Sequence, residues 1–201
     1  VTDADVGESE FQPGTATGEY GGSFAIDATG NWTYQGTDSA TIQALGPNDT
    51  LVETFQVTSE DGTATETIQV TIKGTNDAPD IQGEPLTGSA AEDGLVTGTI
   101  TATDVDSPQE DLTFSLSSDA DDATAQNGTV TVNADGSYSY EPNENFNGTD
   151  SFTVQVVDAD GGIDTEVVNI TITPVNDEAT ITGDASADVL EDGALSTGGT
   201  L

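Results

Sequence analysis

Aspartates and asparagines recur in this sequence at spacings that can gather oxygen atoms. Asp104 and Asp106 stand one residue apart in Ala102-Thr-Asp-Val-Asp106. On a strand, alternate side chains point the same way, so these two carboxylates can converge on one ion. Asp158-Ala-Asp160-Gly-Gly162 reads as an acidic turn, and Asn76-Asp77-Ala-Pro79 reads as a linker. A linker between two domains brings Asn76 and Asp77 to the top of the domain that follows. The 158–161 turn approaches the same end if it joins the last two strands of a sandwich. The chemistry on offer is carboxylate, amide and carbonyl oxygen, which suits a hard cation, above all calcium with its six to eight oxygen ligands.

Composition narrows the choice in the same direction. The 201 residues hold 38 Asp and Glu, one basic residue (Lys73), no His and no Cys, for a formal charge of −37. Without Cys or His there are no thiol nucleophiles, Ser-His-Asp triads, disulfides, or thiolate and imidazole zinc sites. Without a basic surface there is no nucleic-acid footprint and no docking on anionic lipid. No stretch is long and apolar enough to span a membrane, and no signal peptide is visible at Val1. A glycosidase needs only two carboxylates, but a repeated small sandwich offers no obvious deep cleft, so no enzyme is expected.

High negative charge with 33% apolar residues is a composition that favours disorder. The pattern argues for order. Phe152, Val154 and Val156 alternate with Thr153 and Gln155, and Ile68, Val70 and Ile72 alternate with Gln69 and Thr71. Val168, Ile170 and Ile172 repeat the pattern, and such period-two runs are strands with one buried face. Acidic glycine turns separate them, and only residues 38–49 suggest a turn of helix, ended by Gly46-Pro47. Bound cations would offset part of the self-repulsion, which couples metal binding to folding.

The sequence also repeats itself. Phe55 matches Phe152, Asp61-Gly62 matches Asp160-Gly161, Asn76-Asp77 matches Asn176-Asp177, and Glu92-Asp93-Gly94 matches Glu191-Asp192-Gly193. Trp32 and Tyr34 match Tyr138 and Tyr140, and Thr2-Asp3-Ala-Asp5 matches Thr103-Asp104-Val-Asp106. The period is about 100 residues, the size of an immunoglobulin-like sandwich. The expected organisation is an incomplete repeat over 1–77 lacking its first strand, a complete repeat over 78–176, and an opening strand over 177–201. That last segment either starts a following repeat or serves as a donor strand for a neighbouring chain.

The motifs resemble known repeats. Ala102-Thr-Asp104-Val-Asp106, Val157-Asp158-Ala-Asp160-Gly-Gly and Asn76-Asp77-Ala-Pro79 are similar to the calcium-binding stretches of cadherin repeats. Glu92 sits where cadherins place the glutamate of their first strand. Tyr140-Glu-Pro-Asn-Glu-Asn-Phe-Asn-Gly-Thr-Asp-Ser-Phe152 resembles the bacterial cadherin-like tandem repeat. The first unit resembles the VCBS repeat through Gly30-Asn-Trp-Thr-Tyr34 and Gly74-Thr-Asn-Asp-Ala-Pro79. Both are similar to repeats of large RTX-type surface adhesins.

The resemblance implies an all-β fold of tandem immunoglobulin/cadherin-like β-sandwiches in an extended array. It places calcium at a junction formed by Asn76, Asp77, Glu92, Asp104, Asp106 and Asp158 or Asp160. By repeat matching, Asp3, Asp5 and Asp61 face the previous junction, and Asn176, Asp177 and Glu191 serve the next. The Asn-Asp linker is shorter than the cadherin form, so one, two or three ions per junction remain open. The implied function is a calcium-rigidified repeat region of a secreted bacterial surface adhesin or extracellular filament, with a glycan-binding module as the alternative. Its partners are neighbouring repeats of the same or another copy. Trp32, Tyr34, Tyr138 and Tyr140 read as core or rim packing, and Lys73 as a charge guarding an edge strand.

Overall fold

The computed structural model describes residues 9–117 and 124–183. Asp3, Asp5, Glu191 and most of the 177–201 segment lie outside the described residues. Where the sequence alternates, the chain runs as strands, and two separate apolar cores form.

The first core belongs to strands β1 (Gly14–Thr17), β2 (Ser23–Ile26), β3 (Trp32–Gln35), β4 (Thr50–Thr58) and β5 (Thr65–Lys73). β1, β2 and β3 make one antiparallel sheet, and β4 with β5 makes a second. Phe24, Ile26, Phe55 and Val57 are buried between them, and the Phe24 and Phe55 rings stack with centroids 4.5 Å apart. A one-turn helix, Ala40–Gln43, falls inside the 38–49 stretch.

The second core is larger. Its strands are β6 (Asp80–Gln82), β7 (Leu86–Ala91), β8 (Val96–Thr99), β9 (Thr101–Thr103), β10 (Thr113–Leu116), β11 (Gly128–Val132), β12 (Ser137–Pro142), β13 (Gly148–Val157) and β14 (Ile163–Thr173). A four-stranded sheet of order β10-β13-β14-β7 faces a three-stranded sheet of order β11-β12-β8, while β6 pairs with β9. β7 joins β14 in parallel, and every other pairing is antiparallel. Phe152, Val154, Val156 and Val168 are fully enclosed. Each such side chain stabilises the fold by about 1.5–3 kcal/mol relative to exposure. Gly136 allows two layers to close: it has φ 84°, and a Cβ there would stand 2.3 Å from the Ile100 carbonyl oxygen.

A carboxylate fastens each sandwich at matched positions, half-buried in the second and fully buried in the first. In the second, the Tyr140 hydroxyl donates to Asp150 Oδ2 at 2.9 Å, and the amides of Gln126 and Asn127 donate to the same carboxylate. In the first, Glu53 is 1% exposed and accepts the Tyr20 amide at 2.7 Å, with the Tyr34 ring beside it. The sequence patterns do not mark these carboxylates, because an acid inside an apolar alternation reads as an outward-facing residue. Of the four matched aromatics, Tyr138 and Tyr140 are buried, Tyr34 is half-buried and Trp32 is 47% exposed on a rim.

Candidate functional site

β5 ends at Lys73, and the chain crosses to the second sandwich through Gly74–Pro79. Gly74 passes close against the preceding Leu45–Asp49 loop: its amide donates to the Asp49 carbonyl at 3.1 Å, and a Cβ would stand 2.2 Å from the Gly46 oxygen. Two loops of the second sandwich meet this crossing: the 104–107 turn after β9 and the 158–162 turn between β13 and β14.

Hydrogen bonds tie these pieces together. The Asn76 side-chain amide donates to Asp158 Oδ2 at 2.9 Å. The Asp77 amide donates to Asp106 Oδ2 at 3.2 Å. Asp104 Oδ1 accepts the amides of Asp106 and Ser107 at 3.0 and 3.1 Å, which curls the chain back on itself. Asp158 Oδ1 accepts the amides of Asp160 and Gly162, each at 2.8 Å. Gly162 makes room for the cluster: a Cβ there would stand 2.3 Å from Asp158 Oδ2 and 2.7 Å from Asn76 Nδ2.

The electrostatics are uneven. Burial pushes the Asp106 carboxyl up, and the adjacent Asp104 carboxylate adds to the rise, while the Asp77 amide opposes it. Burial raises Asp158 too, but the Asn76 amide and the turn amides of Gly162, Asp160 and Gly161 outweigh it and hold the carboxyl below its usual range. Asp158 is therefore a stable anion fixed in place, whereas Asp104 and Asp106 are two acids pressed together.

The remaining oxygens define what the cluster lacks. Asn76 Oδ1, Asp104 Oδ2 and Asp106 Oδ1 are buried and accept no hydrogen bond. A buried oxygen without a donor costs about 1–3 kcal/mol, more when charged. Three in one cluster, all hard oxygen donors, fit a hard cation. Among the described residues no group of three or more acidic side chains is arranged to hold a metal ion. The donor set is mixed instead, with one amide and two carboxylates, and the other carboxylate oxygens rest on backbone N–H groups.

Residues 76–174 match the family model of the bacterial cadherin-like domain. This segment is a bacterial cadherin-like domain. Solved structures are similar to this chain as well. A fragment of mouse cadherin-23, EC22-24, is 20% identical over 82% of this chain and 53% of its own, with TM-score 0.48. Extracellular domains 3-6 of protocadherin gamma B2 are 13% identical over 90% of this chain and 45% of their own, with TM-score 0.50. This chain thus spans about half the length of the solved chains it matches, and at 13% identity the likeness to the protocadherin domains shows the fold alone, an immunoglobulin-like β-sandwich. A search of curated protein sequences finds no match. Cadherin-like domains are adhesion-type extracellular modules, generally without enzymatic activity.

Within the cadherin-like domain the expected ligands separate into two groups. Asn76, Asp77, Asp104, Asp106 and Asp158 lie together. Glu92 does not join them. Its amide donates to the Thr173 carbonyl, and its carboxylate accepts the Val175 amide and, at 3.0 Å, the Asn147 side chain. Thr173 ends β14, an eleven-residue strand that begins beside the 158–162 turn. At roughly 3.3 Å per residue Glu92 is on the order of 30 Å away, at the opposite end of the domain. The cause is topological: β7 runs parallel to β14, so its end reaches the outgoing linker and not the incoming one. Asn176 and Asp177 are exposed just beyond Val175, on the same side as Glu92. Asp160 is exposed and offers its backbone amide, not its carboxylate, to the cluster. Asp61 is exposed in the β4–β5 turn, held by Ser59 and Thr63, at the end of the first sandwich away from Gly74.

One neighbour escaped the motifs. Asp49 borders the cluster: a Cβ on Gly46 would stand 3.8 Å from Asp49 Oδ2 and 3.9 Å from Asp106 Oδ2. Its place follows from hairpin register, because Thr50 pairs with Lys73 and so Asp49 lies opposite Gly74.

Proposed function

We propose that this chain is a structural repeat region of a secreted bacterial surface adhesin or extracellular filament, stiffened by calcium between its sandwiches. The observation that carries this reading is the set of three buried oxygens without donors, contributed by the linker (Asn76) and by the domain it enters (Asp104, Asp106). These side chains would hold the ion, with Asp77, Asp158 and Asp49 beside them. When bound, calcium supplies the positive charge that two adjacent carboxylates need.

The residues do the rest. Asn76 is anchored to Asp158, so the linker and the 158–162 turn move as one. The Asp77 amide is anchored to Asp106, so the linker also moves with the 104–107 turn. Asp49 and Gly74 bring the first sandwich to the same place. A neutralised cluster locks the joint; a repelling one loosens it. By the sequence repeat, Glu92, Asn176 and Asp177 would serve the corresponding joint with a following repeat, and Asp3, Asp5 and Asp61 one with a preceding repeat.

The working role is reach, holding a binding module away from the cell surface or building a matrix filament. The surplus of acids on the remaining surface keeps such an array from clumping sideways. Small-angle scattering with calcium and with chelator tests the role. Extension and stiffening in calcium support it, and identical profiles overturn it.

A further inference from the structure

Six side-chain oxygens among the described residues are buried with no hydrogen-bond partner, and the joint accounts for three of them. The other three belong to the first sandwich: Tyr34 Oη, Ser39 Oγ and Glu53 Oε2. Glu53 is the most demanding. It shares the buried side of β4 with Phe55 and Val57, and it is 1% exposed. Its Oε1 accepts the Tyr20 amide at 2.7 Å, and its Oε2 accepts nothing. Asp150, its match in the second sandwich, is only half-buried, yet it accepts the Tyr140 hydroxyl and the amides of Gln126, Asn127 and Ser151. The deeper carboxylate thus has the fewer donors.

No basic side chain balances it. The chain's one base, Lys73, is exposed. It lies three places along β5 from Val70, the partner of Glu53, so it points to the opposite face of the sheet. A carboxylate taken out of water without a countercharge is strongly disfavoured. The positive charge has to come from solution.

The first sandwich has a built place for it. The Gly18–Gly22 turn joins β1 to β2 and is closed by the Gly18 amide, which donates to the Gly22 carbonyl at 2.8 Å. A Cβ on Gly18 would overlap Glu53 Oε2, and a Cβ on Gly22 would overlap Tyr34 Oη. One turn therefore covers both oxygens, and glycine at these two positions leaves them room. Burial and the nearby Glu53 carboxylate both push the Tyr34 hydroxyl up, so the two groups are neighbours. Their geometry is nevertheless not that of a hydrogen bond, and each oxygen is left over.

We propose that Glu53 Oε2 and Tyr34 Oη hold a small monovalent cation, sodium, beneath the Gly18–Gly22 turn. One carboxylate and one neutral hydroxyl balance a single positive charge. Calcium affinity rises with the number of charged ligands, so calcium is better served by the paired acids of the joint. The ion does for Glu53 what four donors do for Asp150. The site lies within the first sandwich and does not depend on the joint being filled.

Trp32 is the chain's one tryptophan and stacks on Phe24 of the first core, with ring centroids 5.9 Å apart, so its emission reports the melting of this sandwich. The test melts the full chain in chelator, in sodium chloride and in choline chloride at equal ionic strength. At a tenfold excess over its dissociation constant, sodium should raise the Trp32 midpoint by roughly 5–10 °C. Glu53→Gln should remove the difference between the two salts. Tyr34→Phe keeps the carboxylate and should move the sodium dependence to higher concentration. Sodium NMR relaxation should show a bound fraction with the unaltered chain. Equal midpoints in the two salts overturn the proposal. A sodium effect that survives Glu53→Gln overturns it too, because the ion then acts on the acidic surface. With Asp104→Asn and Asp106→Asn removing the joint, a larger Trp32 shift from calcium than from sodium at equal ionic strength overturns the assignment to a monovalent ion.

Discussion

The Asn76 amide nitrogen lies 2.9 Å from Asp158 Oδ2, although the two residues are 82 positions apart. One belongs to the linker and the other to the last turn of the domain it enters. Their contact makes the joint a defined structure, and it uses the nitrogen of Asn76, leaving Oδ1 facing the cluster without a donor.

Gly162 permits that contact, so Gly162→Ala should break it. A Cβ would stand 2.3 Å from Asp158 Oδ2, and the neighbouring Ala78 Cα at 3.0 Å belongs to backbone that cannot step aside. Overpacking of this kind costs about 1–3 kcal/mol. Thermal melting with and without calcium should show a lower midpoint and a weaker calcium response. An unchanged response would separate the contact from the joint.

Asp106→Asn should change sign with conditions. In chelator it relieves the crowding between Asp104 and Asp106 and should raise stability, by about 1 kcal/mol on the scale of a single polar interaction. In saturating calcium it removes a ligand charge and should lower stability. Paired melts in chelator and calcium read both signs, and a loss in both would mean that Asp106 serves packing alone.

The Tyr140–Asp150 clasp predicts acid sensitivity. Burial pushes Asp150 up, but the amides of Asn127, Gln126 and Ser151 and the Tyr140 hydroxyl outweigh it and hold the carboxyl below its usual range. A carboxyl depressed in the folded state stabilises the fold above its unfolded value near ~3.9, and that stability is lost as pH falls through the folded value. Tyr140→Phe should cost about 1–2 kcal/mol at neutral pH and flatten the acid limb of a pH-melting curve. An unaltered acid limb would place the sensitivity elsewhere.

Glu92→Ala should free the outgoing linker. Glu92 is 7% exposed and accepts from both the Val175 amide and Asn147. Hydrogen exchange should rise at Val175 while the amides of β13 stay protected. Equal protection with and without the carboxylate would show that β14 alone fixes the linker.

Strand positions, turns and the repeat were legible because alternation and acidic glycine turns are local signals. Asp104 and Asp106 were legible as a pair, but not by strand alternation: β9 ends at Thr103, and both lie in the turn beyond it, where Asp104 Oδ1 accepts the Asp106 and Ser107 amides. Glu92 was assigned to the wrong end because its place depends on β7 running parallel to β14, a non-local choice with no mark in the strand itself. Asp49 required the register of β4 against β5. Glu53 and Asp150 were hidden because an inward-turned acid is recognised only from its donors, and the Tyr20, Gln126 and Asn127 amides come from loops more than twenty residues away.

The stiffened joint is tested most directly by calcium titration of the full chain, with melting and small-angle scattering on the same samples. At a hundredfold excess over its dissociation constant, a site confined to the folded state adds about 2.7 kcal/mol. Over a chain of this size that is a midpoint rise on the order of 5–10 °C. The expected result is that rise together with an increase in maximum dimension, both lost on Asp104→Asn with Asp106→Asn. A midpoint and a scattering profile that calcium leaves unchanged would contradict the proposed function.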